Sequence, residues 1–196
     1  MKYMLIVWLI FSSACGANSK QKKSYFEKIQ FDCDYINSGK DHYYRIIQNK
    51  DSKERTFTDS CLYQFDFSLF TEKEKLAMIK ELLLFKGDTD NCSIMVKGYN
   101  IQSSQIIPDY FKTYSIQVEA LFIINHIIFG NPYNYSPYPV LKKSTDSAPT
   151  KKQMDLAAEA YKLYEQWFDY ASRTGFNKTI NSGIYPMKSG DPVYWY

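Results

Sequence analysis

Residues 114–129 read Tyr-Ser-Ile-Gln-Val-Glu-Ala-Leu-Phe-Ile-Ile-Asn-His-Ile-Ile-Phe, and this stretch decides the fold. Apolar side chains occupy nearly every face of a helix drawn through it. The few polar exceptions include Glu119, Asn125 and His126. Because a helix that is apolar all round belongs inside a protein core, we predict a central buried helix with the rest of the domain packed around it.

A second helix is predicted upstream of this stretch. Thr71 and Glu74 have the spacing of a capping box, in which each side chain satisfies a free backbone amide at a helix start. Gly87 marks the expected end, since glycine readily adopts the left-handed conformation that closes a helix. The apolar stripe between these two ends includes Leu76, Ile79 and Leu83.

A third helix is predicted downstream, before Gly175. Thr150 and Gln153 repeat the capping-box spacing after Pro149. The helix is amphipathic, with aromatic residues on the side expected to be buried. The residues of that side include Ala157, Tyr161, Tyr164 and Phe168.

Two shorter segments are less regular. Residues 41–49 fit either a helix or a strand, because their aromatic and β-branched residues favour a strand while the spacing permits a helix, and we predict a helix. Residues 94–99 are a candidate strand, but one isolated strand cannot form a stable sheet. The expected fold class is therefore mainly α, a single-domain irregular helical bundle or helical array with at most a minor strand element.

The N-terminus has the form of an export signal. Lys2 precedes an apolar run at residues 4–11, too short to span a bilayer. The following Ser12-Ser13-Ala14-Cys15-Gly16 resembles the lipobox of bacterial lipoproteins, although that family usually has Leu where Ser12 stands. The resemblance implies cleavage before a lipid-modified Cys15. The alternative is an ordinary cleaved signal in which Cys15 is incidental.

This resemblance divides the chain into a signal peptide at 1–14, a lipid-anchored tether at 15–24 and a globular domain at 25–196. The tether is polar and small, a composition that cannot bury enough apolar area to fold. Gly16 replaces the Asp that retains many such lipoproteins in the inner membrane, which implies an outer-membrane location in the bacterial envelope.

Three further cysteines, at 33, 61 and 92, would then reside in an oxidising compartment that permits disulfides. Cys61 and Cys92 flank the helix that begins near Thr71, so a bridge between them would tie the two ends of a helical hairpin. Pairing of Cys33 with Cys61 is the alternative, and the sequence does not choose between the two.

Composition and motifs argue against several functional classes. The net charge is only +3, and the sequence shows no concentrated basic face of the kind that nucleic-acid binding requires. Glu119 and His126 share a helix face, which could serve proton transfer or metal ligation. The alternative, which we favour, is a pair of satisfied polar groups inside or at the edge of the bundle. Asp88, Asp90 and Asn91 do not follow an EF-hand pattern. We therefore predict no enzyme activity, no cofactor and no metal site.

Tyrosine is unusually frequent, with eighteen residues, and tyrosine suits interfaces because it joins a large apolar body to a polar tip. Proline and tyrosine alternate at residues 132–139. The candidate partner-binding residues are Tyr133, Tyr135, Tyr138 and, in the C-terminal tail that begins at Tyr185, Trp195. For both segments the alternative is that the rings pack inward.

A small helical domain with a lipid anchor and many aromatics resembles the periplasmic immunity lipoproteins that protect bacteria from secreted toxins. The resemblance rests on the anchor, size and class, with loose support from residues 114–122. It implies a protein-binding module attached to the membrane, with a toxin as partner. A structural envelope component and a hydrolase using Glu119 and His126 are the alternatives.

Overall fold

The computed structural model describes residues 24–31, 42–49, 67–93, 113–130, 138–147, 149, 153–188 and 190–196. In chain order the elements are β1 (Phe26–Phe31), β2 (Tyr43–Gln48), α1 (Glu72–Leu82), α2 (Ile116–Phe129), β3 (Leu141–Lys143), α3 (Gln153–Thr174), α4 (Phe176–Asn181) and β4 (Val193–Trp195). Short 3₁₀ turns at Phe67–Leu69 and Leu83–Phe85 flank α1.

Helix α1 begins where the capping box predicts. The Thr71 hydroxyl accepts a hydrogen bond from the Glu74 amide, and the Thr71 amide donates to the Glu74 carboxylate at 2.8 Å. The α-helix ends at Leu82 and passes through the 3₁₀ turn to Gly87, whose φ of 84° is the left-handed conformation that glycine tolerates. Both predicted ends of this helical segment are confirmed.

Helix α2 is the centre of the fold, as predicted. All its residues except Phe129 are buried, and α1, α3 and β2 pack around it. Gly130, at φ 67°, ends the helix. Because every face of α2 meets another element, the near-continuous apolar run in its sequence is fully used in packing.

Helix α3 is amphipathic, as its sequence predicts, whereas Thr150 of the predicted capping box lies outside the described residues. Its buried residues recur every three or four positions, which places them on one side of the helix. They are Leu156, Ala157, Ala160, Tyr161, Tyr164, Trp167 and Ala171. Gly175, at φ 100°, separates α3 from the short α4.

The helix predicted for residues 41–49 is wrong. Residues 43–48 form strand β2, which pairs antiparallel with β1 in the register Phe26 with Gln48 and Phe31 with Tyr43. The aromatic and β-branched side chains fit a strand, and β1 supplies the hydrogen-bonding partner that a local pattern cannot reveal. The candidate strand at 94–99 lies outside the described residues.

A second antiparallel pair joins β3 to β4, with Leu141 opposite Trp195. Across the described ranges, four helices hold about half of the residues and two small sheets accompany them. The fold is therefore mixed α and β, and the mainly α expectation holds only for its helical core. One hydrophobic core extends from Phe26 in β1 to Trp195 in β4.

Candidate functional site

The polar residues of α2 are the first candidates for chemistry, and all of them are buried. Glu119 is 0% exposed, and Gln117, Asn125 and His126 are nearly as inaccessible. Because an unsatisfied buried polar group costs free energy, the contacts of each residue show what it does in the fold. Three separate arrangements emerge, around Glu119, His126 and Asn125.

The Glu119 carboxyl completes the open edge of β2. On that edge the Tyr44 amide donates to the Asn91 carbonyl at 2.8 Å, and the Ser93 amide donates to the Tyr44 carbonyl at 2.7 Å. Two residues further along β2, the Ile46 amide donates to Glu119 Oε2 at 3.3 Å. The carboxyl of Glu119, on helix α2, therefore accepts the hydrogen bond that an amide on the edge of β2 would otherwise donate to a neighbouring strand.

Burial also controls the ionisation of Glu119. It raises the pKa of this carboxyl from 4.5 to about 7, against the opposing effects of the Cys92 side chain, the Ile46 amide and the Arg45 charge. Cys92 and Arg45 are themselves buried. A carboxyl with this pKa exchanges its proton near neutrality, but its surroundings are closed to solvent.

His126 lies in a separate environment. Its ring packs edge-on against Phe122, with 5.4 Å between the ring centroids. Burial lowers the pKa of this imidazole to about 3, so the ring is neutral at physiological pH. His126 lies seven positions after Glu119 on α2, a rise of about 10 Å along the helix, and neither group contributes to the pKa shift of the other. The structure does not bring this predicted pair together.

A buried hydrogen-bonded chain connects the C-terminus to α2. Trp195 Nε1 donates to the Tyr164 hydroxyl at 2.9 Å, and that hydroxyl donates to Asn125 Oδ1. The Trp195 ring also meets the Phe122 ring edge-on, with 5.4 Å between centroids. The chain joins α2, α3 and β4 through polar groups that would otherwise be unsatisfied in the core.

Two of the four predicted partner-binding residues are core residues. Trp195 is 1% exposed and Tyr138 is 4% exposed, so neither ring offers a surface to a partner. For these two residues the inward-packing alternative is the one that agrees with the structure. The reason is that β4 and the segment before β3 close the core over α2 and α3. Tyr133 and Tyr135 lie outside the described residues.

Of the cysteines, Cys92 alone falls within the described ranges. It is fully buried beside the Glu119 carboxyl. Cys15, Cys33 and Cys61 lie outside those ranges, so the predicted lipidation and the bridge between Cys61 and Cys92 both stay predictions.

Near the end of α2 lie three exposed residues and the half-buried Phe129, and we call them the C-terminal patch: Phe129, Tyr170, Ile184 and Tyr185. The Tyr185 ring contacts the Phe129 ring, with 4.9 Å between centroids. The Ile184 carbonyl accepts a hydrogen bond from Trp167 Nε1, and Tyr170 lies one turn beyond Trp167 on α3. Tyr170, Ile184 and Tyr185 are each 37 to 40% exposed. Of these, the sequence pointed to Tyr185 alone, as the start of the C-terminal tail.

Sequence reasoning also missed how the domain begins. Both carboxylate oxygens of Glu81 accept hydrogen bonds from the backbone at the start of β1, one from the Tyr25 amide just before the strand at 2.9 Å and one from the Phe26 amide at 2.7 Å. The Ser24 hydroxyl donates to the same carboxylate. We call this the Glu81 clasp. It joins residues more than fifty positions apart, and no local pattern signals such a contact.

Within the described part of the chain, no cluster of three or more His, Cys, Asp or Glu side chains could hold a metal ion. The helices of that part are also too short or too polar to cross a membrane. Comparison of the chain with protein-family models, with curated proteins and with solved structures gives no match.

Proposed function

We propose that this protein is a lipid-anchored component of the bacterial envelope whose domain binds another protein, and that the partner is a secreted antibacterial toxin. The C-terminal patch is the observation that carries the binding part of the proposal. The anchoring part rests on the sequence around Cys15.

The C-terminal patch has the composition of a protein contact surface. Tyrosine combines rigid contact area with a hydrogen-bonding tip and loses little conformational entropy on binding. Tyr170 and Tyr185 supply two such rings, and exposed Asp169 lies beside Tyr170 on α3. Trp167, which donates a hydrogen bond to the Ile184 carbonyl, is buried, so the patch is joined to the packed core. Such a surface suits a partner that docks without large rearrangement of the domain.

The geometry gives less support to a hydrolase. Glu119 and His126 are both buried, are separated along α2 and have different neighbours. A general acid and base must reach the reacting atoms within hydrogen-bond distance. The hydrogen bond of Glu119 is to the β2 backbone, which is a structural use of the carboxyl.

Lipid anchoring would place this binding surface where toxins are delivered. Attachment to the membrane raises the local concentration of the domain, which strengthens capture without any additional contact. Replacing Cys15 with Ser should abolish both incorporation of labelled fatty acid and recovery of the protein with the membrane fraction. Unchanged membrane recovery together with an unmodified Cys15 peptide in mass spectrometry would contradict the anchor.

The partner is tested by crosslinking intact cells that produce the tagged chain and identifying what co-purifies after membrane extraction. We expect a single stoichiometric protein that kills cells when it is produced in the periplasm without this chain and is harmless when the chain is present. Recovery of envelope polymer or of further copies of the chain would instead support a structural component. Recovery of nothing specific would overturn the proposal.

The patch is tested with the variant Tyr170→Ala/Ile184→Asp and the matched control Met154→Asp. Met154 is 62% exposed at the start of α3 and lies outside the patch. Removing contacts at the centre of an interface weakens binding by about tenfold or more. We expect the patch variant to lose protection and capture while the control retains both. Equal behaviour of the two variants, with urea unfolding confirming that both fold, would refute the patch.

A further inference from the structure

Helix α1 carries an exposed row of side chains that no part of the described protein covers. Lys73 and Lys80 are seven residues apart, two helical turns, and therefore point the same way. Leu84 lies one further turn along, in the 3₁₀ turn that continues the helix. Both lysines are exposed, and Leu84 is the most exposed large apolar residue of the described ranges, at 78%. We call Lys73, Lys80 and Leu84 the α1 stripe.

Among the residues that the structure describes, no ion pair neutralises the charges of the α1 stripe. Within the described residues, neither Lys73 nor Lys80 has a carboxylate within 4.0 Å, whereas Lys86 pairs with Glu165 at 2.8 Å. The three carboxylates of α1 are engaged elsewhere: Glu72 accepts from the Asn177 amide, Glu74 completes the capping box, and Glu81 forms the clasp. The stripe therefore presents two cations and one apolar side chain to its surroundings.

The α1 stripe lies beside the point where the tether joins the domain. The Glu81 clasp fixes Ser24, Tyr25 and Phe26 against α1. Glu81 follows Lys80 directly and precedes Leu84 by three residues, a spacing at which helical side chains are neighbours. The end of the tether is thus held within one helical turn of two stripe residues.

The tether limits how far the stripe can move from a lipid surface. Nine residue steps separate Cys15 from Ser24, which gives a maximum reach of about 30 Å even when fully extended. The tether also contributes Lys20, Lys22 and Lys23 and has no acidic residue. The positive charge of the tether and its short reach together favour an anionic lipid surface next to the clasp.

We infer that the α1 stripe is a membrane-contact surface: Lys73 and Lys80 lie against anionic lipid headgroups and Leu84 enters the headgroup boundary, which fixes the orientation of the tethered domain. The inference rests on the lipid anchor of the proposed function. A leucine held at the boundary by nearby lysines has the chemistry of interfacial attachment, in which apolar insertion and attraction to anionic lipid add together. Anchor and stripe would then be two contacts with one bilayer, and the clasp would link them within the protein.

The test uses the full lipidated protein reconstituted into vesicles of phosphatidylethanolamine and phosphatidylglycerol with brominated acyl chains. Bromine quenches tryptophan fluorescence on contact, so the readout is the quenching of a tryptophan introduced by Leu84→Trp. The matched control is Met154→Trp, which places the same probe at another exposed apolar position, at the start of α3. Flotation of the vesicles reports separately whether the protein is anchored.

We expect both variants to float and Trp fluorescence to be quenched in Leu84→Trp but not above background in Met154→Trp. Adding Lys73→Gln and Lys80→Gln should reduce membrane contact of the stripe about fivefold for each lysine at low salt. The same change at two exposed lysines elsewhere, Lys162→Gln and Lys178→Gln, should leave quenching unchanged.

The outcomes separate the two proposals. Flotation with equal quenching at positions 84 and 154 would overturn the stripe and leave the lipid anchor intact. Failure to float, with an unmodified Cys15 peptide in mass spectrometry, would overturn both. Quenching at position 84 that survives the loss of both lysines would overturn the proposal that the stripe binds anionic lipid headgroups.

Discussion

Replacing the buried Glu119 carboxyl with an amide should change how the stability of the domain depends on pH. The Glu119→Gln side chain keeps nearly the same shape, and its oxygen can still accept the hydrogen bond from the Ile46 amide. What the variant removes is ionisation. In the native protein, burial raises the pKa of this carboxyl to about 7, whereas the ordinary value for an exposed glutamate is 4.5.

The sign of the effect follows from where the proton is held more tightly. Between pH 4.5 and about 7 the native state retains a proton that the unfolded chain releases. The free energy of unfolding therefore falls as pH rises through this interval. At about 1.4 kcal/mol for each unit of pKa shift, the loss amounts to about 3 kcal/mol. This stability is fully present below pH 4.5 and absent well above pH 7.

His126 acts with the opposite sign over an overlapping range. Burial lowers the pKa of its imidazole from 6.5 to about 3, so the unfolded chain binds the proton more tightly. Stability from this group is present above pH 6.5 and is lost as pH falls towards 3. Between pH 4.5 and 6.5 the two slopes oppose each other in the native protein. Removing the Glu119 ionisation should expose the acid sensitivity contributed by His126.

The assay is urea unfolding from pH 4 to 8.5, followed by the fluorescence of the buried Trp167 and Trp195. The informative quantity is the unfolding free energy of Glu119→Gln minus that of the unaltered protein at each pH. We expect this difference to rise by about 3 kcal/mol between pH 4.5 and 7. Glu159→Gln, at an exposed position on α3, controls for the loss of one negative charge. A difference that stays flat or falls with pH would refute the reasoning.

Three further substitutions test contacts that organise the fold. Tyr164→Phe should lower the unfolding free energy by about 1–3 kcal/mol in urea titrations, because the Trp195 indole and the Asn125 carbonyl lose their common partner in the core; a loss no greater than that of an exposed Tyr-to-Phe change would contradict it. Trp195→Ala should lower the free energy of unfolding by about 3–5 kcal/mol in the same assay, since it empties a fully packed site between α2 and α3. A much smaller loss would show that β4 is not part of the core. Lys28→Met removes the ammonium group that lies 2.6 Å from two aspartates. The free energy of unfolding should fall by about 1 kcal/mol or less in dilute salt, because the site is partly exposed. The loss should shrink in high salt, and a salt-independent loss would argue for packing instead.

The sequence determined the helices by itself because their signals are local. The Thr71 and Glu74 capping box, the apolar run through α2 and the three-to-four residue spacing in α3 each lie within one element. Such patterns indicate which backbone amides at a helix start are capped and which face of the helix is buried. Helix α1 begins directly after Thr71, α2 ends at Phe129, and α3 ends at Thr174, directly before Gly175.

The tertiary structure alone decided the strands and the fate of the candidate residues. Residues 43–48 are a strand because β1 pairs with them from another part of the chain. Glu119 and His126 share a helix, but their neighbours differ, and neither group is a cause of the other's pKa shift. Trp195 is equally compatible with a surface and a core until β3 is seen beside it. Hydrogen-bond partners and burial depend on contacts between distant segments, and a linear pattern does not encode those contacts.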